Sequence, residues 1–351
     1  MSTKNAKEYR EKLTDMFTGL LQDSLDHPVN WRQGWGSALT EAPYNAARGN
    51  RYRGINRFYL SMIAYKEGFN DPRWATMFQI KQNNWHLQKG SKGYEVEFWF
   101  PYDMEARRAM PWNDYNLMIM NGEPTENIMI KPRYFYVFNA SRIDGVLPLE
   151  VKEKATVNPD ELIARLSESM GVPIKHFINS GCAYRPDLDM IVTPPPELFV
   201  SSYEYNSSVL HELAHSTGHF SRLDRPLSAQ FGSQEYAREE LVAEITSAFM
   251  GAHLQMPEGE LPDTDQHREY VRGWLQQLKN DPNMLAGAIK DAEQANEYME
   301  YHAGFIDKLT LVKGMASTRE AEIVMQEPNE ATITDAATDT AKQRATLAGL
   351  I

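Results

Sequence analysis

The sequence predicts an α+β protein of two domains, and three observations carry that prediction. Its 351 residues are too many for one ordinary compact domain and enough for two cores. Helical periodicity opens each half and is followed by runs of aromatic and β-branched residues with strand character. Between Leu147 and Asn158 a charged connector replaces strand-like sequence, dividing the chain into residues 1–150, residues 157–313 and a tail over 316–351.

In the first half, a helix is expected from about Lys4 to Leu25. There Tyr9, Leu13, Phe17, Leu20, Leu21 and Leu25 recur at helical spacing, and His27 and Pro28 end the pattern. Trp31 to Asn50 is rich in Gly, Ala, Pro and Asn and reads as loop, and a second helical pattern covers Asn56 to Tyr65. Strands are expected at Tyr94 to Phe100 and Arg133 to Phe138, with a loop-like insertion, Met104 to Glu126, between them.

The second half opens with a helix at Pro159 or Asp160. Strands follow around Cys182 to Tyr184 and Asp189 to Thr193, then a turn at Pro194 to Pro196. Helices are expected near Tyr203–His215, Glu235–Leu254, His267–Leu278 and Leu285–Val312. From Ala316 onward Ala, Thr, Glu and Asp dominate, predicting a flexible acidic tail with little to bury.

Composition excludes several classes. No apolar run is long enough to span a bilayer, so no membrane partner is expected. The polar N-terminus lacks the pattern of a secretory signal, which predicts a cytoplasmic protein, and the single Cys182 fits a reducing compartment. A net charge of -12 argues against a surface that binds nucleic acid everywhere. From Arg48 to Lys92, however, nine basic residues face two acidic ones, a local balance of +7. A patch of that kind can attract a polyanion within a Debye length, whatever the distant charge.

The chemical centre is HELAHSTGH, His211 to His219. On a helix the HExxH spacing projects His211 and His215 from one face, one turn apart, where both can hold one zinc ion. Glu212, beside them, is the general base for a water whose pKa the zinc lowers. A catalytic zinc needs a third protein ligand, and Glu240, in EELVAE on the next helix, is the choice. Glu239, Glu244 and His219 compete with it. Manganese or another divalent ion suits the same ligands. An open coordination position separates a catalytic ion from one that only stabilises the fold, and sequence does not display it. Asp189 to Thr193 is a candidate edge strand for receiving a peptide.

The basic segment interleaves arginines with Tyr52, Phe58, Tyr59, Tyr65, Phe69, Trp74, Phe78, Trp85 and Tyr94. Cations that track phosphates and rings that stack on unpaired bases suit single-stranded DNA. Candidate contacts are Arg51, Tyr52, Arg53, Asn56, Arg57, Arg73, Trp74, Lys89 and Lys92, with Gly54, Gly90 and Gly93 allowing close backbone approach. The plainer reading of the segment is that its aromatics form a core and its charges a solvated face.

Long motifs then carry a resemblance: RYRGINR (Arg51–Arg57), DPRWAT, KGSKGYEVEFW and YFYVFNASRIDG in the first half; AYRPDLDMIVTP, HELAHSTGHFSRLDR and YAREELVAEI in the second. The chain resembles the ArdC-type antirestriction proteins of conjugative plasmids and phages. That resemblance implies an N-terminal single-stranded DNA-binding domain and a C-terminal zincin-like metallopeptidase domain, its HExxH helix beside a small sheet. It also implies protection of incoming DNA from restriction in a bacterial host, with a protein of the restriction machinery as possible substrate. The insertion at Met104 to Glu126 and the tail depart from the family pattern. Two other functions remain open: a metallopeptidase whose first domain recognises protein, and a non-catalytic DNA-binding protein with structural zinc.

Overall fold

The computed structural model describes residues 2–26, 42–149, 157–230, 232–251, 273–278 and 281–307. The connector at 150–156, most of the loop expected before Asn50, the first half of the helix expected at His267–Leu278 and the acidic tail lie outside the described residues.

Helix α1 (Ser2–Asp26) buries Tyr9, Leu13, Phe17 and Leu21, spaced four residues apart, along one stripe. Helix α2 (Gly54–Glu67) stops at Gly68, whose φ of 67° provides the left-handed turn that ends helices. Between and beyond them runs a sheet in the order β1-β2-β6-β4-β5. Its strands are β1 (Tyr44–Asn45), β2 (Arg73–Thr76), β4 (Tyr94–Asp103), β5 (Arg108–Ala109) and β6 (Ile128–Asn139). Strands β4 and β6 pair antiparallel from Tyr94↔Val137 to Asp103↔Ile128 and form its spine. Short helix α3 (Met77–Gln82) starts with a Thr76/Gln79 capping box. Strands β3 (His86–Leu87) and β7 (Ile143–Asp144) make a separate pair. The segment expected as a loop at Met104 to Glu126 contains helix α4 (Trp112–Met120), a correction. Buried Trp112 anchors it, donating its indole N–H to the Trp99 carbonyl at 3.1 Å.

The second domain starts with α5 (Pro159–Met170), capped by Asn158 with Pro159 at its first turn. Its sheet holds β8 (Ile174–His176), β9 (Ala183–Arg185) and β10 (Met190–Thr193) in the order β8-β10-β9. The strand expected at Asp189 to Thr193 is therefore central, and β9 is an edge. Helices α6 (Ser202–Ser216), α7 (Gln234–Gly251) and α8 (Pro282–His302) complete the domain.

One apolar cluster joins Tyr9, Phe17, Phe58 and Val96 of the first domain to Leu241, Phe249, Leu285 and Ile289 of the second. Another gathers Leu162, Leu166, Ile191, Leu210, Leu213 and Met299. Helix α8 thus contributes to both cores. Among the described residues no helix is long and apolar enough to cross a membrane.

Candidate functional site

Ser201 caps α6 by accepting from the Glu204 N–H at 3.1 Å, and apolar Val209, Leu210, Leu213 and Ala214 pin the helix in the core. That burial leaves His211 and His215 facing α7 and Glu212 facing β9. The two imidazole Nε2 atoms lie 3.1 Å apart. Glu240 brings Oε2 to 3.4 Å from His211 Nε2 and Oε1 to 3.7 Å from His215 Nε2. His211, His215 and Glu240 are the one group of metal-binding residue types among the described residues whose ligand atoms converge within 4.8 Å.

Each outward ring nitrogen faces a carboxylate, but only that of His215 is hydrogen-bonded. His215 Nδ1 lies 3.2 Å from Glu239 Oε1, and His211 Nδ1 lies 3.6 Å from Glu244 Oε1. Glu239 is gripped by the Arg225 guanidinium at 2.8 and 3.0 Å. His219 faces away from the cluster, its Nδ1 2.7 Å from Ser221 Oγ. Glu239, Glu244 and His219 thus occupy the flanks. Two Nε2 atoms and a carboxylate, with each Nδ1 facing a second carboxylate, form a donor set that suits a divalent ion such as zinc.

Charge follows geometry. Burial disfavours the charged form of His215, but its bond to Glu239 and the nearby Glu240, Glu212 and Glu239 carboxylates raise its pKa to about 9. Burial raises the pKa of Glu240, and the hydrogen bond and charges from His211 and His215 overcome it, leaving about 2. Burial and the Glu212 carboxylate push Cys182, half-buried at the cavity wall, up to about 12.

Glu212 Oε2 accepts the backbone N–H of Tyr184, on edge strand β9, at 2.6 Å. The Tyr184 hydroxyl donates to Asp189 Oδ1 at 2.7 Å, and Arg222 bonds the same Asp189 carboxylate. Arg222 Nε also caps the Ser216 carbonyl at 2.6 Å, and Arg225 Nη2 reaches the Ala214 carbonyl at 3.0 Å. Two arginines thus add bonds to carbonyls at the end of α6 and tie it to the groups around the histidines. The sequence reading missed Tyr184, Arg222 and Arg225. Their one signal was a pair of arginines within ten residues of HExxH. The site opens into a 590 Å³ cavity between β9, α6 and α7 that Tyr236 and Trp274 also line.

The basic segment divides differently than its sequence suggests. Arg51, Lys89 and Lys92 are exposed. Tyr52, Trp74 and Arg57 are buried to 2%, 0% and 6% exposure, which corrects the expectation that they face a DNA strand. Trp74 stacks edge-on against Phe69 and Tyr94, because large rings stabilise most when removed from water. Arg57 lies 3.7 Å from the Phe249 ring centroid and pairs with Glu293 at 3.4 Å, across the domain boundary. Arg53 pairs with Glu297 and Glu293 on the same α8. The Asn56 carboxamide bonds both backbone groups of Glu97 on the open edge of β4, at 2.7 and 3.0 Å. Arg73 forms a fork with Asp71 at 2.9 and 2.8 Å.

Comparison with known proteins gives two family matches. Residues 7–138 match the N-terminal domain of anti-restriction factor ArdC, and residues 161–291 match a zincin-like metallopeptidase domain. Two DNA primase TraC proteins of Escherichia coli are 36% and 35% identical over 275 residues, 77% of this chain. The chain spans just 18% and 25% of their lengths. An uncharacterized protein of Sinorhizobium fredii, y4eC, is 31% identical over 291 residues, covering 83% of this chain and 91% of that protein. The crystal structure of the antirestriction protein ArdC from plasmid R388, metal-free, superposes with a TM-score of 0.64 at 26% identity, over 85% of this chain and 99% of that one. Its Mn(II)-bound form gives 0.63 at 27% identity over the same shares of the two chains. With both halves matched in order and the whole of a solved member covered, this chain belongs to the ArdC-type antirestriction family.

Proposed function

We propose that the chain is an antirestriction protein of the bacterial cytoplasm that binds incoming plasmid or phage DNA as a single strand. Its second domain carries a metallopeptidase-type site. The observation that carries the second part is the convergence of His211, His215 and Glu240 beside Glu212. These three would hold a divalent ion, zinc first and manganese as the alternative, which supplies a Lewis acid for a peptide carbonyl. Glu239 fixes the His215 ring, Glu244 lies 3.6 Å from the outward nitrogen of His211, and Glu212 is the proton acceptor. The β9 edge, with the Tyr184 backbone at the site, receives an extended peptide, and a protein of the host restriction machinery is the substrate.

For the strand, Arg51, Lys89 and Lys92 are the candidate phosphate contacts, being exposed cations in the segment of balance +7. The Mn(II)-bound form of the R388 protein supports a metal, and its family supports the antirestriction role.

The test is survival of unmodified DNA in a restricting host that expresses wild type, Arg51→Ala/Lys89→Ala/Lys92→Ala or Glu212→Gln, with folding checked by circular dichroism. Protection lost in the triple variant supports strand binding as the protective act. Loss in Glu212→Gln makes hydrolysis part of the mechanism. No protection by wild type sinks the proposal.

A further inference from the structure

A second cleft, of 450 Å³, lies where the RYRGINR turn and the middle of β4 meet the first turns of α8. Trp99 of β4, Trp112 and Ile130 line its apolar side, and Asn56 lines it too. Four cations surround it: Arg10, Arg51 and Arg53 from the first domain and Lys290 from the second. Arg10 pairs with Glu97 at 3.6 Å and lies over the Trp99 ring at 5.8 Å, and Arg53 is committed to Glu293 and Glu297. Arg51 and Lys290 are exposed, and neither has an ion pair among the described residues.

Its volume falls within the roughly 300–1,000 Å³ of small-ligand clefts. The single carboxylate among the lining residues, Glu97, already faces Arg10 and the Tyr134 hydroxyl. An indole under a cation, in a cleft that two unpaired cations also line, offers a stacking surface and phosphate contacts of the kind a single strand uses. The Trp99 carbonyl is fixed by the Trp112 indole, so its strand is anchored for stacking. A duplex keeps its base faces stacked within and has none to offer such a wall.

We propose that this cleft takes one nucleotide unit of single-stranded DNA, its base against Trp99 and its flanking phosphates on Arg51 and Lys290. The second domain then grips the strand directly and is more than a passenger of the first. The proposal rests on the single-strand reading above and adds a location and a contributor to it.

The test measures anisotropy of a labelled oligothymidylate with the full chain across a salt series, for wild type, Arg51→Ala, Lys290→Ala and Trp99→Leu. Lys175→Ala, exposed on β8, is the control. Each cation variant is expected to bind several-fold more weakly and to reduce the slope of log affinity against log salt by about 0.7, one phosphate contact. Trp99→Leu is expected to lose about tenfold, while Lys175→Ala binds as wild type does. Arg51 and Lys290 are exposed, so those two decide the matter if Trp99→Leu unfolds. Wild-type binding that none of the three variants changes overturns the cleft and leaves the single-strand reading standing. No binding by wild type removes both. Displacement of the oligonucleotide by polyglutamate at equal charge overturns the nucleotide assignment in favour of an acidic peptide.

Discussion

Tyr184 donates its backbone N–H to Glu212 at 2.6 Å, so the edge strand of the small sheet is bonded to the carboxylate that stands beside the two histidines. Strand and helix meet at the site itself, and the Tyr184 hydroxyl, Asp189 and Arg222 extend the tie to the end of α6. A carboxamide at position 212 keeps the acceptor that Tyr184 uses but not the basicity. Glu212→Gln is therefore expected to fold and to bind one divalent ion as wild type does, while any peptide hydrolysis falls by about 10²–10⁴. Metal content by mass spectrometry and cleavage of a casein or host-protein panel check the two halves. A loss of metal binding would show that Glu212 is a ligand.

Arg225 holds Glu239, and Glu239 holds the outward nitrogen of His215. Outer carboxylates of this kind set ring orientation and ligand basicity, and removing one costs about 10–100-fold in metal affinity. Glu239→Ala and Arg225→Met are each expected to weaken zinc or manganese binding by that amount without abolishing it. His211→Ala is expected to abolish it. Calorimetric titration of the metal separates these outcomes.

Metal should also stabilise the fold. An ion that binds the folded chain alone, at a hundred times its dissociation constant, adds about 2.7 kcal/mol. Thermal unfolding is expected to shift upward on adding zinc or manganese, to return with chelator and to show no shift in His211→Ala. An unshifted wild type would contradict a resident ion.

Arg57 and Glu293 are a buried pair, with side chains 7% and 4% exposed. Truncating Arg57 leaves buried Glu293 only the longer Arg53 contact at 3.8 Å among the described residues, at a cost near the low end of the about 3–5 kcal/mol for breaking a buried pair. Arg57→Ala is expected to lower stability to urea by that amount, and Arg57→Met/Glu293→Leu to recover most of it. Loss of DNA binding in Arg57→Ala alone would therefore report damage to the fold, which is why exposed Arg51, Lys89 and Lys92 are the better probes.

Asp189 gives a pH signature. Burial raises its pKa, but hydrogen bonds from Arg222 and Tyr184 and the Arg222 charge hold it below the usual carboxylate range. The folded state binds that proton less tightly than the unfolded chain. The stabilisation is present above the unfolded value near 4 and is lost as pH falls through the depressed folded value. Asp189→Asn is expected to flatten this part of the acid-side decline in melting temperature. An unchanged profile below pH 5 would count against the Arg222 clamp.

Much of the metal centre was legible in the sequence because a helix makes spacing into geometry: His211 and His215, four positions apart, share one face of any α-helix. Glu240 was harder, since three neighbouring acids share its helix and packing decides which one points inward. The basic segment misled for a similar reason. Charge and spacing describe Arg57 alone, whereas its partner lies 236 residues away and its ring contact is Phe249. Helix α4 was missed because nine residues carry little periodicity and its anchor, Trp112, bonds a carbonyl of β4. The central place of β10 follows from strand order, which alternation along one strand does not encode.

The apolar cluster that joins Phe17 and Phe58 to Phe249 and Ile289 has a consequence for how the molecule comes apart. Two modules on a string would melt in two steps, and each would survive excision. Here cutting at the connector would leave both fragments with an oily face and with unmatched arginines or glutamates. The halves are expected to unfold together, and a recombination event that swaps one of them must bring a matching face for the other.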